Sequence, residues 1–255
     1  MAIQHFPLKL VSRRMLAPSV GHYVFARDDG QPLDFIPGQF IQVHFHYADG
    51  TATKRSYSLA TIHDHTIAPG EAVEIAVSFV PGGAATALFE GLHEHGAITA
   101  SGPFGRFCLA PADANRRYLL VGTGTGVTPY RAMLPQLEAM IRERNIEVVL
   151  LFGARTPVEL LYGDEFRAFA VRHPHNFRFV PCFSRELPAP GSAHAHADVR
   201  HGYVQQFLEE FAPDAATDIA YLCGNPNMVD ACFEALKSAG LAVPQIRREK
   251  YVSSK

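Results

Sequence analysis

Residues 118–129 read Tyr-Leu-Leu-Val-Gly-Thr-Gly-Thr-Gly-Val-Thr-Pro, an apolar run that leads into three closely spaced glycines. The run predicts a buried strand, and Pro129 suits the first turn of a helix whose apolar stripe continues to Arg144. Glycines at such a junction let the backbone approach a phosphate, and the N–H groups at the helix start face that anion. The stretch therefore favours a nucleotide-binding loop over a structural turn, although Val127 stands where the G-x-G-x-x-G pattern has its third glycine.

The chain after this loop alternates between strand-like and helix-like segments. The predicted strands are 118–121, 148–152, 177–183, 219–223 and 245–249, and the predicted helices are 129–144, 158–171, 204–211 and 226–239. Strict alternation of this kind is typical of a parallel sheet that helices cover on both faces. We therefore expect an α/β domain with a parallel five-stranded sheet.

The chain before residue 111 has a different texture, with short β-prone runs between turn signals. These predicted strands are 8–16, 21–26, 40–47, 55–60, 73–80 and 98–100, and only 84–92 looks helical. Short strands at this spacing predict a small barrel or sandwich. Because residues 111–116 are polar and begin with a proline, we place a linker there and predict domains at 1–112 and 117–255.

The composition excludes several classes of protein. The chain has 255 residues, of which 47% are hydrophobic, and its net charge is −2 from 23 basic and 25 acidic residues. This balance favours a soluble globular protein and gives no support to binding of nucleic acid or a membrane surface. The four cysteines are far apart, which excludes iron–sulfur spacing. With no leader-like start and no long apolar run, we expect a cytoplasmic protein.

Residues 54–61, Lys-Arg-Ser-Tyr-Ser-Leu-Ala-Thr, combine a fixed cation, a flat aromatic ring and two small hydroxyls on one β-prone segment. Alternation along a strand would set Arg55 and Tyr57 apart from Ser56 and Ser58. This combination suits a flat ligand that carries phosphate, and we interpret it as a flavin site. The alternative is an ordinary exposed strand.

Arginines follow two of the predicted strands in the second domain. A site specific for NAD usually has Asp or Glu at the end of the second strand, whereas this chain has Arg155. The third strand ends at Ser184 and Arg185. Two arginines and a hydroxyl suit the additional ribose phosphate of NADPH, and the alternative is a pair of solvated loop arginines.

At the end of the fourth strand, Cys223 precedes a tight turn through Gly224 and Pro226 that leaves room for a flat ring.

Histidines also cluster at His194, His196 and His201. They lack a carboxylate or thiolate partner at ligand spacing, and they lie in a segment rich in alanine and proline. We interpret them as part of a solvated loop and predict no metal site.

Five motifs in this order resemble the ferredoxin–NADP reductase family over nearly the whole chain. They are Arg55-Ser56-Tyr57-Ser58, Gly82 to Thr86, the loop from Gly122 to Pro129, Ser184-Arg185 and Cys223 to Pro226. The resemblance implies an antiparallel β-barrel that binds FAD, followed by an α/β domain that binds NADP.

On the flavin side, the resemblance gives Arg55 to the pyrophosphate, Tyr57 to the isoalloxazine and Ser58 to a position near N5. Ser56 lies within the same motif. The family's phosphate-binding turn falls on Gly83, Ala84, Ala85 and Thr86.

On the nicotinamide side, the resemblance implies that the glycine loop holds NADP and that Arg155, Ser184 and Arg185 hold its ribose phosphate. The loop residues are Gly122, Thr123, Gly124, Thr125 and Gly126. The chain also has an acidic residue, Glu249, two positions before Tyr251, the aromatic residue that would cover the flavin. Four residues follow Tyr251.

The activity implied is hydride transfer between NADPH and FAD, with single electrons passing to or from ferredoxin or flavodoxin. We hypothesise that Ser58, Cys223 and Glu249 line the nicotinamide pocket and that Tyr251 moves aside before hydride transfer. A monomer is expected, and a positive rim would steer the acidic carrier. This rim would consist of Lys54, Arg247, Arg248 and Lys250.

Two alternatives remain open. One is a reductase that supplies an oxygenase or free flavin, although the scattered cysteines exclude the iron–sulfur domain that oxygenase reductases commonly carry. The other is a module that binds nucleotide without catalysis.

Overall fold

The computed structural model describes residues 4–63, 65–110, 112–192, 195 and 198–252. Contacts between residues divide the chain into two compact units. The first unit contains the residues up to Leu109 together with Thr128–Gln136, and the second contains Ala110–Val127 and Leu137–Val252.

The first unit is built on an antiparallel sheet of six strands. Its elements in chain order are β1 (His5–Ala17), β2 (Val20–Arg27), β3 (Leu33–Asp34), β4 (Phe40–His46), β5 (Ala52–Ser58), β6 (Thr66–Ile67), β7 (Ala72–Ser78), α1 (Ala84–Gly91) and β8 (Ala97–Phe104). The strand order of the sheet is β5-β4-β8-β1-β2-β7, and β3 pairs with β6 separately. All strand runs predicted here lie in this sheet, and the single predicted helix is α1.

The two ends of this strand order meet. Leu59, which follows β5 directly, forms an antiparallel bridge with Ile75 in β7. Beside it the backbone N–H of Ala60 donates a hydrogen bond of 2.7 Å to the carbonyl oxygen of Glu74. The sheet therefore closes into the expected antiparallel barrel. Its interior is filled by alternating inward-facing residues such as Leu8 and Val43, which are fully buried.

The second unit has a parallel sheet in the order β12-β11-β10-β9-β13-β14. From residue 117 onwards the elements are β9 (Arg117–Thr123), α2 (Thr128–Ala132), α3 (Leu134–Arg144), β10 (Glu147–Ala154), α4 (Gly163–Arg172), β11 (Phe177–Phe183), β12 (Arg200–His201), β13 (Asp218–Gly224), α5 (Pro226–Ser238) and β14 (Ile246–Lys250). Of these, α2 and the first three residues of α3 belong to the first unit. The predicted parallel sheet is confirmed, with one strand more than the five expected. The additional strand, β12, is two residues long, so it has no apolar run that a sequence pattern would reveal.

The helix predicted over 129–144 is divided in two. Residues Gly124–Val127 form a 3₁₀ turn, α2 follows, and α3 begins after Met133. Pro135 lies at the second position of α3. A proline has no N–H to donate and clashes with the carbonyl of the residue four positions earlier, so a continuous helix cannot pass this point.

The second unit has its own core, which includes Leu119, Val149 and Leu222 from neighbouring strands and Val229 from α5. Because all its strands are parallel, the segments that follow β9, β10, β11, β13 and β14 come together at the carboxyl edge of the sheet. Open α/β sheets bind ligands at this edge.

Within the part of the chain that the structure describes, no helix is both long and apolar enough to cross a membrane. His201 is exposed in β12, whereas His194 and His196 lie outside the described residues. Among the residues described, no group of three or more His, Cys, Asp or Glu side chains is arranged to hold a metal ion.

Candidate functional site

Strand β5 presents its side chains on two faces, as its alternating sequence predicts. Arg55 and Tyr57 are half-buried on one face, while Lys54 and Ser56 are exposed on the other. Ser58 ends the strand and is buried. The strand therefore carries a cation and an aromatic ring side by side on one face.

The Arg55 guanidinium is held by neutral oxygens. Its Nη2 donates to the hydroxyl of Tyr47 at 2.9 Å, and its Nη1 donates to Thr53 Oγ1 at 3.2 Å and to the carbonyl of Lys54 at 2.9 Å. It also lies 6.0 Å from the ring centre of Tyr47. The Tyr47 hydroxyl forms side-chain hydrogen bonds with Thr53 and Arg55. These bonds hold the pKa of Tyr47 below its usual value, and the bond with Thr53 has the larger effect. Because these partners are neutral, they orient the guanidinium without cancelling its charge.

Tyr57 is held by the first helix. Its ring meets the ring of Phe89 in α1 edge to face, with centres 5.3 Å apart and planes at 79°. Burial raises the pKa of Tyr57 above its usual value, so the phenol is neutral at physiological pH. The ring is therefore fixed by packing, which suits a flat side chain that supports a ligand ring.

The predicted phosphate turn before α1 is closed by a side chain. The Thr86 hydroxyl accepts from the N–H of Val80 at 2.8 Å and donates to the Val80 carbonyl at 2.9 Å. The N–H groups of Ala84, Ala85 and Thr86 lie in the first helical turn, where no carbonyl four residues earlier serves them. Gly83, as the N-cap, has no side chain to cap them. Thr86 thus shapes the turn, and backbone N–H groups at a helix start are of the kind that suits an anion.

In the second unit, the glycine loop after β9 packs directly on the segment after β13. A Cβ atom added to Gly126 would lie 2.3 Å from the carbonyl oxygen of Cys223 and 2.6 Å from Gly224 Cα. Gly224 has φ +126°, and a Cβ there would lie 2.6 Å from the carbonyl oxygen of Thr123. The Thr123 hydroxyl accepts from the N–H of Asn225 at 3.0 Å. Glycines are therefore required because the two backbones touch, which places Gly122 to Gly126 beside Cys223 and Gly224.

Asn225 also begins helix α5. Its side-chain oxygen accepts from the N–H groups of Asn227 at 2.9 Å and Met228 at 3.4 Å, and Pro226 takes the first helical position. This is a side-chain N-cap of the usual kind. It fixes the turn that carries Gly224.

The three residues predicted to hold a ribose phosphate are brought together at the ends of β10 and β11. The N–H of Ser184 donates to the Ala154 carbonyl and the N–H of Arg185 donates to the Arg155 carbonyl, both at 3.0 Å. Glu159 lies in the same group. It accepts from Arg155 Nε at 2.9 Å and also from Nη2. This bond and the charge of Glu159 raise the pKa of Arg155.

Three further predicted site residues, Cys223, Glu249 and Tyr251, are also neighbours. In the parallel pairing of β13 and β14, Glu249 lies opposite Cys223. Burial raises the pKa of the Cys223 thiol well above its usual value; the charge of Glu249 acts in the same direction, and a side-chain hydrogen bond with Tyr251 opposes it. Cys223 is therefore a neutral thiol that is hydrogen-bonded to Tyr251 and lies opposite Glu249 in the strand pairing.

The predicted basic residues are only partly available to a partner. Lys250 Nζ lies 2.7 Å from a carboxylate oxygen of Asp230, and the Arg248 guanidinium stacks over Phe233 at 3.8 Å. Lys54 and Arg247 are exposed. Asp230 therefore compensates the charge of one of these four residues, Lys250.

Tyr47 and Glu159 lie outside the motifs found in the sequence, and Asn225 lies within the motif from Cys223 to Pro226 without an assigned role. Asn225 followed by proline at a helix start is a recognisable N-cap signal. The four-residue spacing of Arg155 and Glu159 suggests an ion pair, although it gives no sign that the pair lies at a ligand edge. Tyr47 has no local signal, because its contact with Arg55 depends on the pairing of β4 with β5.

Two oxidoreductase families match different parts of this chain. The oxidoreductase FAD-binding domain family matches residues 7–108, and the oxidoreductase NAD-binding domain family matches residues 120–234. Ferredoxin–NADP reductase B of Sorangium cellulosum (strain So ce56) is 32% identical over 255 residues, which cover 96% of this chain and 97% of that protein. The chain belongs to the ferredoxin–NADP reductase family.

Other members of the ferredoxin–NADP reductase family extend the comparison. The reductase subunit of an aromatic O-demethylase from Amycolatopsis sp. (strain ATCC 39116 / 75iv2) is 34% identical over 87% of this chain. A ferredoxin NADP+ reductase from Neisseria gonorrhoeae, solved with bound FAD and NADP, superposes with a TM-score of 0.80 at 23% identity and covers 96% of this chain and 98% of that one. That likeness shows the shared two-domain fold.

Several of the curated relatives are longer than this chain. The chain spans 62% of the O-demethylase subunit, 56% of a propane 2-monooxygenase reductase component from Rhodococcus jostii and 60% of a toluate 1,2-dioxygenase electron transfer component from Pseudomonas putida.

The residues of this family member fit the two cofactors. The Arg55 guanidinium is oriented by neutral hydrogen-bond acceptors, and the α1 N-terminus offers backbone donors. The loop around Gly126 is closed so tightly that a side chain would fill it. An FAD-binding and an NAD-binding domain therefore each contain a place suited to a phosphate-bearing ligand.

Proposed function

We propose that this protein is a flavoprotein reductase that transfers hydride between NADPH and FAD and passes single electrons to or from a protein carrier. Bound FAD would supply the step between two-electron and one-electron chemistry. The protein would bind both nucleotides, align the reacting rings and exclude water.

One observation carries this proposal: the carboxyl edge of the parallel sheet collects three groups of predicted residues. The loop around Gly126 packs on Cys223, the Cys223 thiol is hydrogen-bonded to Tyr251, and Glu249 lies opposite Cys223 in the pairing of β13 with β14. Arg155 is bonded through its backbone to the end of β11 on the same edge. A phosphate cradle, cations for a further phosphate and a neutral thiol beside a carboxylate suit a nicotinamide dinucleotide.

On the flavin side, we assign Arg55 to the pyrophosphate, because neutral oxygens orient its guanidinium. Tyr57 would support the flavin ring, and buried Ser58 would lie near the reacting nitrogen. The turn from Gly83 to Thr86, together with Ser56, would complete the cofactor contacts. In this turn Ala84 and Ala85 contribute backbone N–H groups, while the Thr86 hydroxyl is already bonded to Val80.

On the nicotinamide side, the loop from Gly122 to Gly126, including Thr123, Gly124 and Thr125, would bind the pyrophosphate. Gly224 would leave room for the nicotinamide ring. We propose that Cys223 and Glu249 line that pocket and that Tyr251 covers the flavin until the nicotinamide arrives.

We propose NADPH as the preferred nucleotide. Two arginines and the Ser184 hydroxyl at adjoining strand ends suit a ribose phosphate, since Arg binds phosphate through paired hydrogen bonds. Exposed Arg185 has its backbone bonded to that of Arg155, which keeps the two residues together.

The proposed electron carrier is ferredoxin or flavodoxin. The relative from Sorangium cellulosum, which is matched over nearly its full length, is a ferredoxin–NADP reductase. Exposed Lys54 and Arg247 would attract an acidic carrier, and the rate would then fall with ionic strength. Lys250 would contribute less because Asp230 compensates its charge.

A second candidate function is supply of electrons to an oxygenase. Relatives named as reductase or electron transfer components of a demethylase, a monooxygenase and a dioxygenase match 86–87% of this chain. This candidate shares the hydride step and differs in the acceptor. A non-catalytic nucleotide-binding module would instead bind nucleotide without electron transfer.

The test is the absorption spectrum of the purified protein before and after anaerobic addition of NADPH. A yellow protein that is bleached supports the reductase, whereas a protein that binds no FAD, or whose bound FAD is not reduced, contradicts it. Reduction of added ferredoxin and flavodoxin then distinguishes the carrier. An Arg55→Gln variant is expected to lose flavin on gel filtration, with Lys54→Gln as the control that alters charge on the opposite face of the strand.

A further inference from the structure

The Arg155 side chain at the end of β10 is paired with the carboxylate of Glu159. Glu159 accepts from Arg155 Nε at 2.9 Å, from Nη2, and from the Arg155 backbone N–H at 3.2 Å. The carboxylate therefore occupies the Nε–Nη2 edge of the guanidinium, an edge whose paired N–H donors Arg155 would otherwise offer to a phosphate.

The position of Glu159 is determined by its own backbone. Residues Pro157–Glu159 form a 3₁₀ turn, in which the N–H of Glu159 donates to the Thr156 carbonyl at 3.1 Å. The Glu159 side chain is 23% exposed, against 54% for that of Arg155. The better-anchored member of the pair is thus the carboxylate.

This arrangement has opposite effects on the two nicotinamide nucleotides. A ribose 2′-phosphate dianion at Arg155 must share or displace the Glu159 carboxylate and is repelled by it. A ribose 2′-hydroxyl carries no charge and can donate a hydrogen bond to a carboxylate. Since the pair is partly exposed, the interaction is screened by water and salt, and its effect is moderate.

We propose that Glu159 is a specificity-determining residue that narrows the preference of this protein for NADPH over NADH by competing for Arg155. This role rests on the proposed nucleotide site. In that site the negative charge of Glu159 counteracts the attraction of a ribose phosphate to Arg155.

The chain offers a matched control in Glu186. Its backbone N–H donates to the Arg155 carbonyl at 3.2 Å, so it lies at the same edge, and its side chain is exposed. Glu186→Gln removes the same charge as Glu159→Gln without removing an acceptor from the Arg155 guanidinium. Comparison of the two variants therefore separates a general change in electrostatic potential from direct competition for the Arg155 guanidinium.

The experiment is calorimetric titration of the flavin-loaded protein with 2′,5′-ADP, which carries the 2′-phosphate, and with 5′-AMP, which carries the 2′-hydroxyl. We expect Glu159→Gln to tighten 2′,5′-ADP binding by about threefold or more at low salt while leaving 5′-AMP binding unchanged or weaker. Glu186→Gln should have a clearly smaller effect. Adding Arg155→Gln to the Glu159→Gln variant should abolish the gain, as expected for two residues that interact directly.

Three results would overturn the inference. Weaker 2′,5′-ADP binding in Glu159→Gln would mean that Glu159 positions Arg155 for phosphate. An unchanged ratio of the two affinities would remove the specificity role, and an equal effect of Glu186→Gln would reduce it to general electrostatics. Bleaching of the wild-type flavin by NADPH and NADH tests the proposed function separately, because the affinity ratio is measured without electron transfer.

Discussion

The backbone N–H of Tyr251 donates a hydrogen bond of 2.8 Å to the carbonyl oxygen of Gly224. This bond extends the pairing of β13 with β14 by one residue and sets the point from which the aromatic side chain projects. The side chain also bonds the Cys223 thiol. Tyr251 is thus tied to the segment that we assign to the nicotinamide.

If Tyr251 covers the flavin until the nicotinamide arrives, Tyr251→Ser should tighten NADP+ binding several-fold, because a competing conformation is removed. Tyr251→Phe retains the ring and should bind NADP+ like the wild type. Affinity is measured by the change in the flavin absorption spectrum on titration. Unchanged NADP+ affinity together with an unchanged rate of flavin reduction in Tyr251→Ser would reject this gating role.

Gly126→Ala should destabilise the second unit, because the added methyl group would meet the Cys223 carbonyl at 2.3 Å. Overpacking against backbone costs about 1–3 kcal/mol, and displacement of the loop should also weaken nucleotide binding. Urea unfolding measures the first effect. Gly124→Asn is the control for stability: Gly124 has φ +54°, which asparagine tolerates, and a Cβ there meets nothing within 4 Å. Equal stability of the Gly126→Ala and wild-type proteins would contradict the close packing.

Thr86→Val should open the turn before α1, because it leaves the N–H and carbonyl of Val80 without the hydroxyl that serves both. Loss of a buried hydrogen-bond partner costs about 1–3 kcal/mol. We expect lower stability and weaker FAD binding, measured by flavin fluorescence on dilution, with Thr86→Ser close to the wild type. A Thr86→Ser variant as impaired as Thr86→Val would show that the methyl group, and not the hydroxyl, maintains the turn.

Glu74 forms a partly buried ionic group in the barrel. Its carboxylate pairs with Arg131 and lies 3.4 Å from His22 Nε2, and Arg131 donates to the Ala60 carbonyl at 2.5 Å. Burial by itself would raise the pKa of Glu74, but hydrogen bonding to His22 and the charge of Arg131 outweigh it and hold the pKa below its ordinary value of 4.5. The pair therefore fixes the backbone two residues after Ser58.

Because the folded-state pKa of Glu74 lies below the unfolded one, its stabilising effect is present above the ordinary value and is lost as the pH falls through the lower, folded pKa. Glu74→Gln should lower the free energy of unfolding at pH 7 by about 3 kcal/mol, since it leaves Arg131 buried without its carboxylate. The difference from the wild type should shrink as acid protonates Glu74. Urea unfolding from pH 7 to pH 3 checks this, and a constant difference would contradict it.

The cysteines should differ in reactivity. Burial raises the pKa of Cys182 and Cys232 to about 12 and that of Cys223 well above its usual value, whereas Cys108 is partly exposed. A thiol reacts as its thiolate. At pH 8 a disulfide reagent should label Cys108 in the native protein and all four cysteines after denaturation. Rapid native labelling of Cys223 would show that its pocket admits solvent.

Much of the fold follows from local patterns. Alternation in strands such as 40–46 predicted the half-buried barrel strands, and apolar runs such as 118–121 predicted the parallel sheet, because each pattern reflects the burial of a single element. The break before α3 was also present in the sequence, as Pro135, and the helical stripe on both sides of it concealed the interruption.

Part of the candidate site can be located from the sequence. The glycines around Gly126 and the arginines at strand ends could be located because parallel topology brings the carboxyl ends of strands together. The hydrogen-bond partners of individual side chains could not be predicted in the same way. Thr86 was expected at a phosphate turn, and only the structure shows that its hydroxyl is used by Val80.

The sequence by itself determined the order of the two domains, the kind of sheet in each and the loop that suits a nucleotide. The tertiary structure alone decided the closure of the barrel between Leu59 and Ile75, the pairing of Glu74 with Arg131, 57 residues away, and the use of one edge of the Arg155 guanidinium by Glu159. The physical reason is that periodicity records which face of one element is buried. The partner of a charged side chain depends on how separate elements pack, and that packing leaves no periodic signal in the chain.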